Sequence, residues 1–208
     1  MIFLLRHAET LWNSQFRKQG LDDSSLTTLG HRQAAAYGQA IKQFLQKHQI
    51  PLEQVSMSVS PLDRALSTAD YVVKAIGLPE ESMVVEPRLI EFDYGRWSGL
   101  TNGDIEQQFP GELENRNRQK WFYTVAGGES YVEVELRVDS WLAELDPKKT
   151  CIAVTHNAVS RVLRCRYCDI RRTKAERLEH RQHLIYLLDR SNIDVIDVSP
   201  FMESNQAG

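Results

Sequence analysis

Three short segments of this chain place reactive side chains directly after apolar runs. Ile2–Leu5 leads into Arg6-His7-Ala8-Glu9-Thr10, Val55–Val59 into Ser60-Pro61-Leu62-Asp63-Arg64, and Cys151–Val154 into Thr155-His156-Asn157. If each run is a strand of a parallel α/β sheet, these residues arrive at the carboxyl ends, where such sheets bind ligands. An arginine there offers a fork matched to phosphate, and an imidazole offers a nucleophilic nitrogen. One His beside one Arg is commonly a surface pair. Arg6, His7, Arg64 and His156 brought to one rim by three strands outweigh coincidence. Arg64 adds to this, because a cation in the first turn of a helix opposes the helix dipole and is better explained by an anion to be held. Glu91, in Arg88-Leu89-Ile90-Glu91-Phe92, is either a loop acid paired with Arg88 or a general acid kept protonated by Ile90 and Phe92.

The elements that must position these residues follow from periodicity. Thr27 caps a helix running to about His48, with Ala34, Tyr37, Ile41, Phe44 and Leu45 on one face. Leu62–Ile76 reads as a helix stopped by Gly77 and Pro79, and a further helix spans about Asn157 to Arg166. Leu184–Leu188 and Ile193–Val198 read as closing strands. The segment from Tyr131 alternates like a strand, yet Val134, Val138, Trp141 and Leu145 keep helical spacing, and helix is the expectation. The alternation predicts one domain over residues 1–208, a three-layer α/β/α sandwich around a mainly parallel sheet. Residues 96–127 are expected to form a helical insertion over the strand C-terminal ends, a candidate lid, and 201–208 a loose tail.

Composition narrows the class. The 208 residues are 42% hydrophobic and 25% charged with a net charge of −3, so no strong field selects nucleic acid or membrane. No apolar stretch approaches a membrane span, and Met1–Leu5 runs straight into Arg6 without the features of a signal peptide. A soluble cytoplasmic protein is expected, with monomer and dimer both open. Cys165-x-x-Cys168 lacks the partners of a zinc site and the preceding strand of a thioredoxin-like motif, so spare thiols on a helix are the expectation over a redox pair.

Taken together, Leu5-Arg6-His7-Ala8-Glu9-Thr10-x-Trp12-Asn13 resembles the signature of the histidine phosphatase superfamily, the phosphoglycerate mutase-like enzymes. Arg17-x-Gln19-Gly20, Leu26-Thr27-x-x-Gly30, Ser60-Pro61-Leu62-x-Arg64-Ala65, Leu89-x-Glu91 through Gly95, Gly99-Leu100-Thr101, Gly127-Gly128-Glu129-Ser130 and Val154-Thr155-His156 follow in the family's order. The resemblance spans about residues 2 to 165. It implies that His7 attacks phosphorus to give a phosphohistidine, that Arg6, Arg64 and His156 hold the equatorial oxygens, and that Glu91 protonates the leaving oxygen. Asn13 would add a neutral hydrogen bond, and Gln19, Gly20 and Asn157 would help bind substrate. No metal and no other cofactor is implied.

Two positions depart from the pattern: Ala8 and Asn157 stand where the family usually has Gly. Neither removes a reacting group. Phosphoglycerate mutases resemble one another in an Arg after the donor Glu and a Lys after the Gly-Leu pair, where this chain has Phe92 and Asn102. The expected activity is therefore a phosphomonoesterase acting on a small phosphorylated metabolite, with mutase-type transfer as the alternative. Arg96, Arg116, Arg118 and Lys120 in the insertion are either ligands for a polyanionic substrate or a solvated face beside Glu112 and Glu114. Trp97, Trp121, Phe122 and Tyr123 read as an apolar lid or as packing residues. No P-loop motif points to a kinase. A non-catalytic phosphate binder on the same scaffold is the reading from another class, and it would have no need for Glu91.

Overall fold

Ile2–Arg6 (β1), Val55–Val59 (β2), Met83–Val85 (β3), Thr150–Thr155 (β4), Leu184–Asp189 (β5) and Asn192–Asp197 (β6) form one sheet in the order β3-β2-β4-β1-β5-β6. These come from a computed structural model that describes residues 1–190 and 192–203. The β1–β4, β2–β4 and β2–β3 pairs are parallel, whereas β5 runs antiparallel to both β1 and β6. β4 is buried at all six residues and β1 at its first four, as central strands covered on both faces must be.

Alternation along the strands divides the core into two layers. Phe3, Leu5, Met57, Val59, Ile152 and Val154 face Thr28–Lys47 (α2) and Asp63–Ile76 (α3). Ile2, Leu4, Cys151 and Ala153 face Tyr131–Ala143 (α6) and Asn157–Tyr167 (α7). The result is the expected three-layer sandwich. Thr27 caps α2 through a hydrogen bond from Gly30 N–H, and the segment from Tyr131 is a helix, begun by a capping box between Ser130 and Glu133.

The in-register pairing of Leu5 and Val59 with Val154 has the consequence that matters for function. It ends β1, β2 and β4 at one level, so that Arg6, Ser60 and Thr155–His156 emerge side by side.

Three features differ from expectation. β3 is an edge strand of three residues with Val84 and Val85 exposed, too short and too wet for an apolar run. The expected loose tail begins as a helix, Ser199–Glu203 (α9), with Phe201 and Met202 packed on the core; residues 204–208 lie outside the described residues. Cys165 lies in α7 but Cys168 caps its end; both thiols are free, and burial pushes each up to about 11, which suits packing rather than redox chemistry.

The insertion carries Asn102–Gln108 (α4) and Glu112–Arg118 (α5) around a small core of Trp97, Ile105 and Val125. Its two ends are clasped where Gly95 and Gly128 touch. A Cβ on Gly128 would lie 2.5 Å from the Asp93 carbonyl oxygen, and Gly95 has φ +49°, so both positions need glycine. Arg96 N–H to Ala126 O and Glu129 N–H to Asp93 O close the neck.

Candidate active site

The three strand ends open into a cleft of about 610 Å³, lined by Arg6, His7, Asn13, Gln19, Gly20, Arg64, Glu91 and Asn157 together with Tyr94, Lys18 and Gln182. His156, fully buried, does not line it. It stands behind His7, with ring centroids 5.2 Å apart. All nine expected site residues therefore converge on one place.

His7 is held from both sides of its backbone and through its ring. Its N–H donates to Thr155 O at 2.8 Å, continuing the β1–β4 ladder. Its Nδ1 lies 2.8 Å from the Ala8 carbonyl, which can only accept, so the proton sits on Nδ1 and Nε2 keeps its lone pair. Burial, reinforced by Arg64 and Arg6, holds this imidazole well below its ordinary 6.5. The result is a neutral imidazole with an open ring nitrogen.

Arg64 answers the question its sequence position raised. Its guanidinium donates to Gly20 O at 2.7 Å, Asp22 O at 2.5 Å and Asp23 Oδ1 at 2.7 Å. Asp23 also accepts from the backbone N–H of Asp63 and Arg64, capping α3 from outside. Part of the anion demanded by a cation at that helix start is thus supplied by the protein itself. Nε of Arg64, Nε of Arg6 and Nδ1 of His156 are buried and have no protein partner, and an anion in the cleft is what such donors suit. Arg6 is anchored by one bond, from Nη1 to the His180 carbonyl at 2.9 Å. Ser60 Oγ lies 2.7 Å from His156 Nε2.

Glu91 is not paired with Arg88, which instead bridges Glu86 and Glu144. The Glu91 carboxyl is buried and accepts the Phe92 N–H at 2.9 Å, its backbone carbonyl accepts from Arg137, and burial raises the carboxyl above the ordinary 4.5 despite Arg64 and Arg6. Glu91 lines the same cleft as Arg6, Arg64 and Lys18. Asn157 uses Oδ1 to accept from His180 N–H at 3.0 Å, tying α7 to the loop before β5. Gln19 accepts from Ser24 through its side chain and from Ser98 through its backbone, which fixes the Gly20 turn beneath Arg64. Ala8 is buried, with its N–H on Thr68 Oγ1.

The insertion's cations divide into two kinds. Arg96 pairs with Glu112, and Arg118 pairs with Glu114 at the surface. Arg116 turns inward over the rings of Phe92, Tyr94 and Tyr131, and Lys120 reaches the Glu176 carbonyl at 2.7 Å. Burial, with Arg116 nearby, lowers Lys18 to about 8; burial, with Arg161 and Arg116, lowers Lys120 to about 8 as well. Among the described residues no carboxylate lies within ion-pair distance of Lys18, Arg116 or Lys120. Trp97 and Trp121 are packing residues, and Phe122 is exposed. Sequence reasoning missed His180 and Gln182, whose parts are played from a loop without periodicity. Among the described residues no group of three His, Cys, Asp or Glu side chains is arranged to hold a metal, and no helix is long and apolar enough to cross a membrane.

Comparison with known proteins agrees with this geometry. The model of the histidine phosphatase superfamily, branch 1, matches residues 2–194. Phosphoserine phosphatase 1 of Hydrogenobacter thermophilus is 30% identical over 167 residues, covering 79% of this chain and 74% of that protein. Fructose-2,6-bisphosphatase of Saccharomyces cerevisiae is 32% identical over 168 residues, covering 80% of this chain; the chain spans only 33% of that relative's length. A mycobacterial glucosyl-3-phosphoglycerate phosphatase, solved with VO3, superposes with a TM-score of 0.76 at 30% identity, covering 95% of this chain and 98% of that one. A fold, a cleft and a sequence match that agree over nearly the whole chain make this protein a member of the histidine phosphatase superfamily.

Proposed function

We propose that the chain is a metal-independent phosphomonoesterase that works through a phosphohistidine at His7. The observation that carries this is the tautomer of His7: Nδ1–H is spent on Ala8 O, which leaves Nε2 as a neutral nucleophile beside two arginines and a buried carboxyl whose pKa is raised by desolvation. Nε2 attacks phosphorus as the P–O ester bond breaks. Glu91 gives its proton to the departing alkoxide. Arg6, Arg64, His156 and Asn13 hold the non-bridging oxygens, where charge builds up in the transition state. With Ser60 donating to Nε2 of His156, the proton of that ring sits on Nδ1, which is buried without a protein partner and would donate to the phosphoryl group. Water then attacks the phosphohistidine, Glu91 takes the water's proton, and the P–N bond breaks to release inorganic phosphate and restore the site.

The substrate class proposed is a small phosphomonoester with a second acidic group. Lys18, Arg116 and Lys120 form a cationic tier of which Lys18 lines the cleft; among the described residues none has a carboxylate within ion-pair distance, although Glu176 acts on Lys120 from farther away, and buried charges of one sign call for a counter-ion. The substrates in the names of the relatives, a fructose bisphosphate, a phosphoserine and a glucosyl phosphoglycerate, each carry such a group. Hydrolysis is favoured over mutase-type transfer because Phe92 is buried between Tyr94 and Tyr131 and Asn102 is neutral, at the positions mutases fill with cations. A cytoplasmic location is proposed on the three free thiols, which suit a reducing compartment. The test is turnover of an aryl phosphate with chelator present. Activity that persists with chelator and is lost in His7→Ala supports the reading; activity undiminished in His7→Ala overturns it.

A further inference from the structure

We infer that Gln182 is a positioning residue: it fixes the amide of Asn13 so that Asn13 presents its NH2 group, not its carbonyl, to the phosphoryl oxygens. This rests on the phosphatase reading above. Gln182 lies in the loop before β5, beyond the last motif of the sequence resemblance. Its Nε2 is 2.7 Å from Asn13 Oδ1 and 3.2 Å from the His7 carbonyl. Both partners are acceptors, so the group between them is the NH2, with one hydrogen for each.

Asn13 Oδ1 also accepts the Thr10 N–H at 3.2 Å, as half of the capping box that begins Leu11–Ser14 (α1). Its two lone pairs are therefore both spoken for, and only the NH2 remains for the cleft. That orientation decides the sign of the contact. Phosphoryl oxygens accept hydrogen bonds, so an amide NH2 stabilises them and an amide carbonyl repels them. The Gln182 bond is the shorter of the two that hold Asn13, and it ties the amide to the backbone of the nucleophile.

Gln182 can do this because its loop is itself anchored. Arg161 donates to Leu178 O, Arg164 to Glu179 O, and His180 N–H to Asn157 Oδ1. The same loop supplies the His180 carbonyl that holds Arg6. One segment thus orients two phosphoryl ligands that come from other parts of the chain.

The test is a double-mutant cycle on the full chain, reading kcat and KM for an aryl phosphate together with the inhibition constant for orthovanadate. Gln182→Ala should lower kcat/KM about tenfold, the worth of one charge-directed hydrogen bond. Gln182→Glu, of the same shape, should cost more, because a carboxylate draws the Asn13 NH2 to itself and turns Oδ1 toward the phosphoryl group. In an Asn13→Ala background Gln182→Ala should have no further effect on kcat/KM or vanadate inhibition, and Gln182→Glu should cost less than it does when Asn13 is present, keeping only the repulsion of its charge in the cleft. A structural role would instead lower activity equally in both backgrounds. If Gln182→Ala still costs activity when Asn13 is Ala, or Gln182→Glu costs as much there as in the native background, the inference is wrong. If His7→Ala keeps full activity, the phosphatase reading fails instead, whatever the cycle shows.

Discussion

Replacing Asp23 with Ala separates what the protein does for Arg64 from what a phosphoryl group does. The Arg64 side chain is 1% exposed and its ion pair with Asp23, itself 25% exposed, spans 2.7 Å. Removing one partner of a fully buried pair costs about 3–5 kcal/mol. The partial exposure of Asp23 and the surviving bonds from Arg64 to Gly20 O and Asp22 O reduce that to about 1–3 kcal/mol. Asp23 also caps α3 through Asp63 N–H and Arg64 N–H, and a lost cap adds about 1 kcal/mol. The sum, about 2–4 kcal/mol, lowers the melting temperature by about 4–16 °C in a domain of this size. The balance reverses with an anion bound. A guanidinium no longer shared with Asp23 should bind inorganic phosphate more tightly, so saturating phosphate should raise the melting temperature of Asp23→Ala by more than that of the native chain. Asp23→Asn, which keeps a capping oxygen, should fall between the two. Differential scanning fluorimetry with and without phosphate reads all of this. A melting temperature within about 2 °C of native, or a smaller phosphate shift in the variant, would refute the argument that Asp23 and the phosphoryl group compete for Arg64.

The remaining predictions concern pH, the cationic tier and the catalytic loop. His7, lowered well below 6.5, stays nucleophilic into the acid range, and Glu91, raised above 4.5, stays protonated above the ordinary carboxylate range, so kcat/KM should decline on the alkaline side. Glu91→Gln should flatten that decline and cost about 10²–10⁴-fold with an alkyl phosphate, but less with an aryl phosphate, whose leaving group needs no proton; an equal loss on both would remove Glu91 as the acid. For stability the sign is set by His7, His156 and His180, all buried and lowered well below 6.5. The unfolded chain takes up protons at these positions that the native state refuses, so the contribution of these three histidines to stability is full above pH 6.5 and is lost below it, by up to about 1.4 kcal/mol per pH unit for each. Urea unfolding at several pH values checks this. Lys18→Met should raise KM for a phosphomonoester bearing a second acidic group while leaving aryl phosphate nearly unaffected, and the native preference for the former should fade above about pH 8, where Lys18 and Lys120 lose charge. Gly30→Ala drives a methyl group into the Glu9 carbonyl oxygen behind the His7 loop, and should destabilise by at least about 2 kcal/mol and lower kcat; an unchanged melting temperature would show that α2 can shift.

The candidate site was legible in the sequence because its residues are local to the strand ends. Arg6 and His7, Arg64, and His156 each follow directly on a strand whose apolar run is unambiguous, and parallel pairing in register brings those ends together. Thr27 marked a helix start because a capping hydroxyl acts within three residues. What lay hidden acts across the fold. Arg116 and Arg118 share a helix of seven residues and are chemically alike, and only the position of the Phe92, Tyr94 and Tyr131 rings makes one a buried cation and the other a surface partner of Glu114. His180 orients Arg6 through its backbone carbonyl, a group every residue has. β3 and α9 are too short for periodicity to show, and their strand and helix character comes from the core they dock on.

The central claim is a covalent bond between His7 and phosphorus, and the most direct test is to look for it. The native chain, mixed with substrate and quenched in alkali within milliseconds, should yield a peptide containing His7 that is heavier by one phosphoryl group. That mass should vanish on acid treatment, because P–N bonds of this kind are acid-labile, and it should not form in His7→Ala. Turnover without any phosphorylated His7, or a phosphoryl group recovered on another residue, would contradict the account.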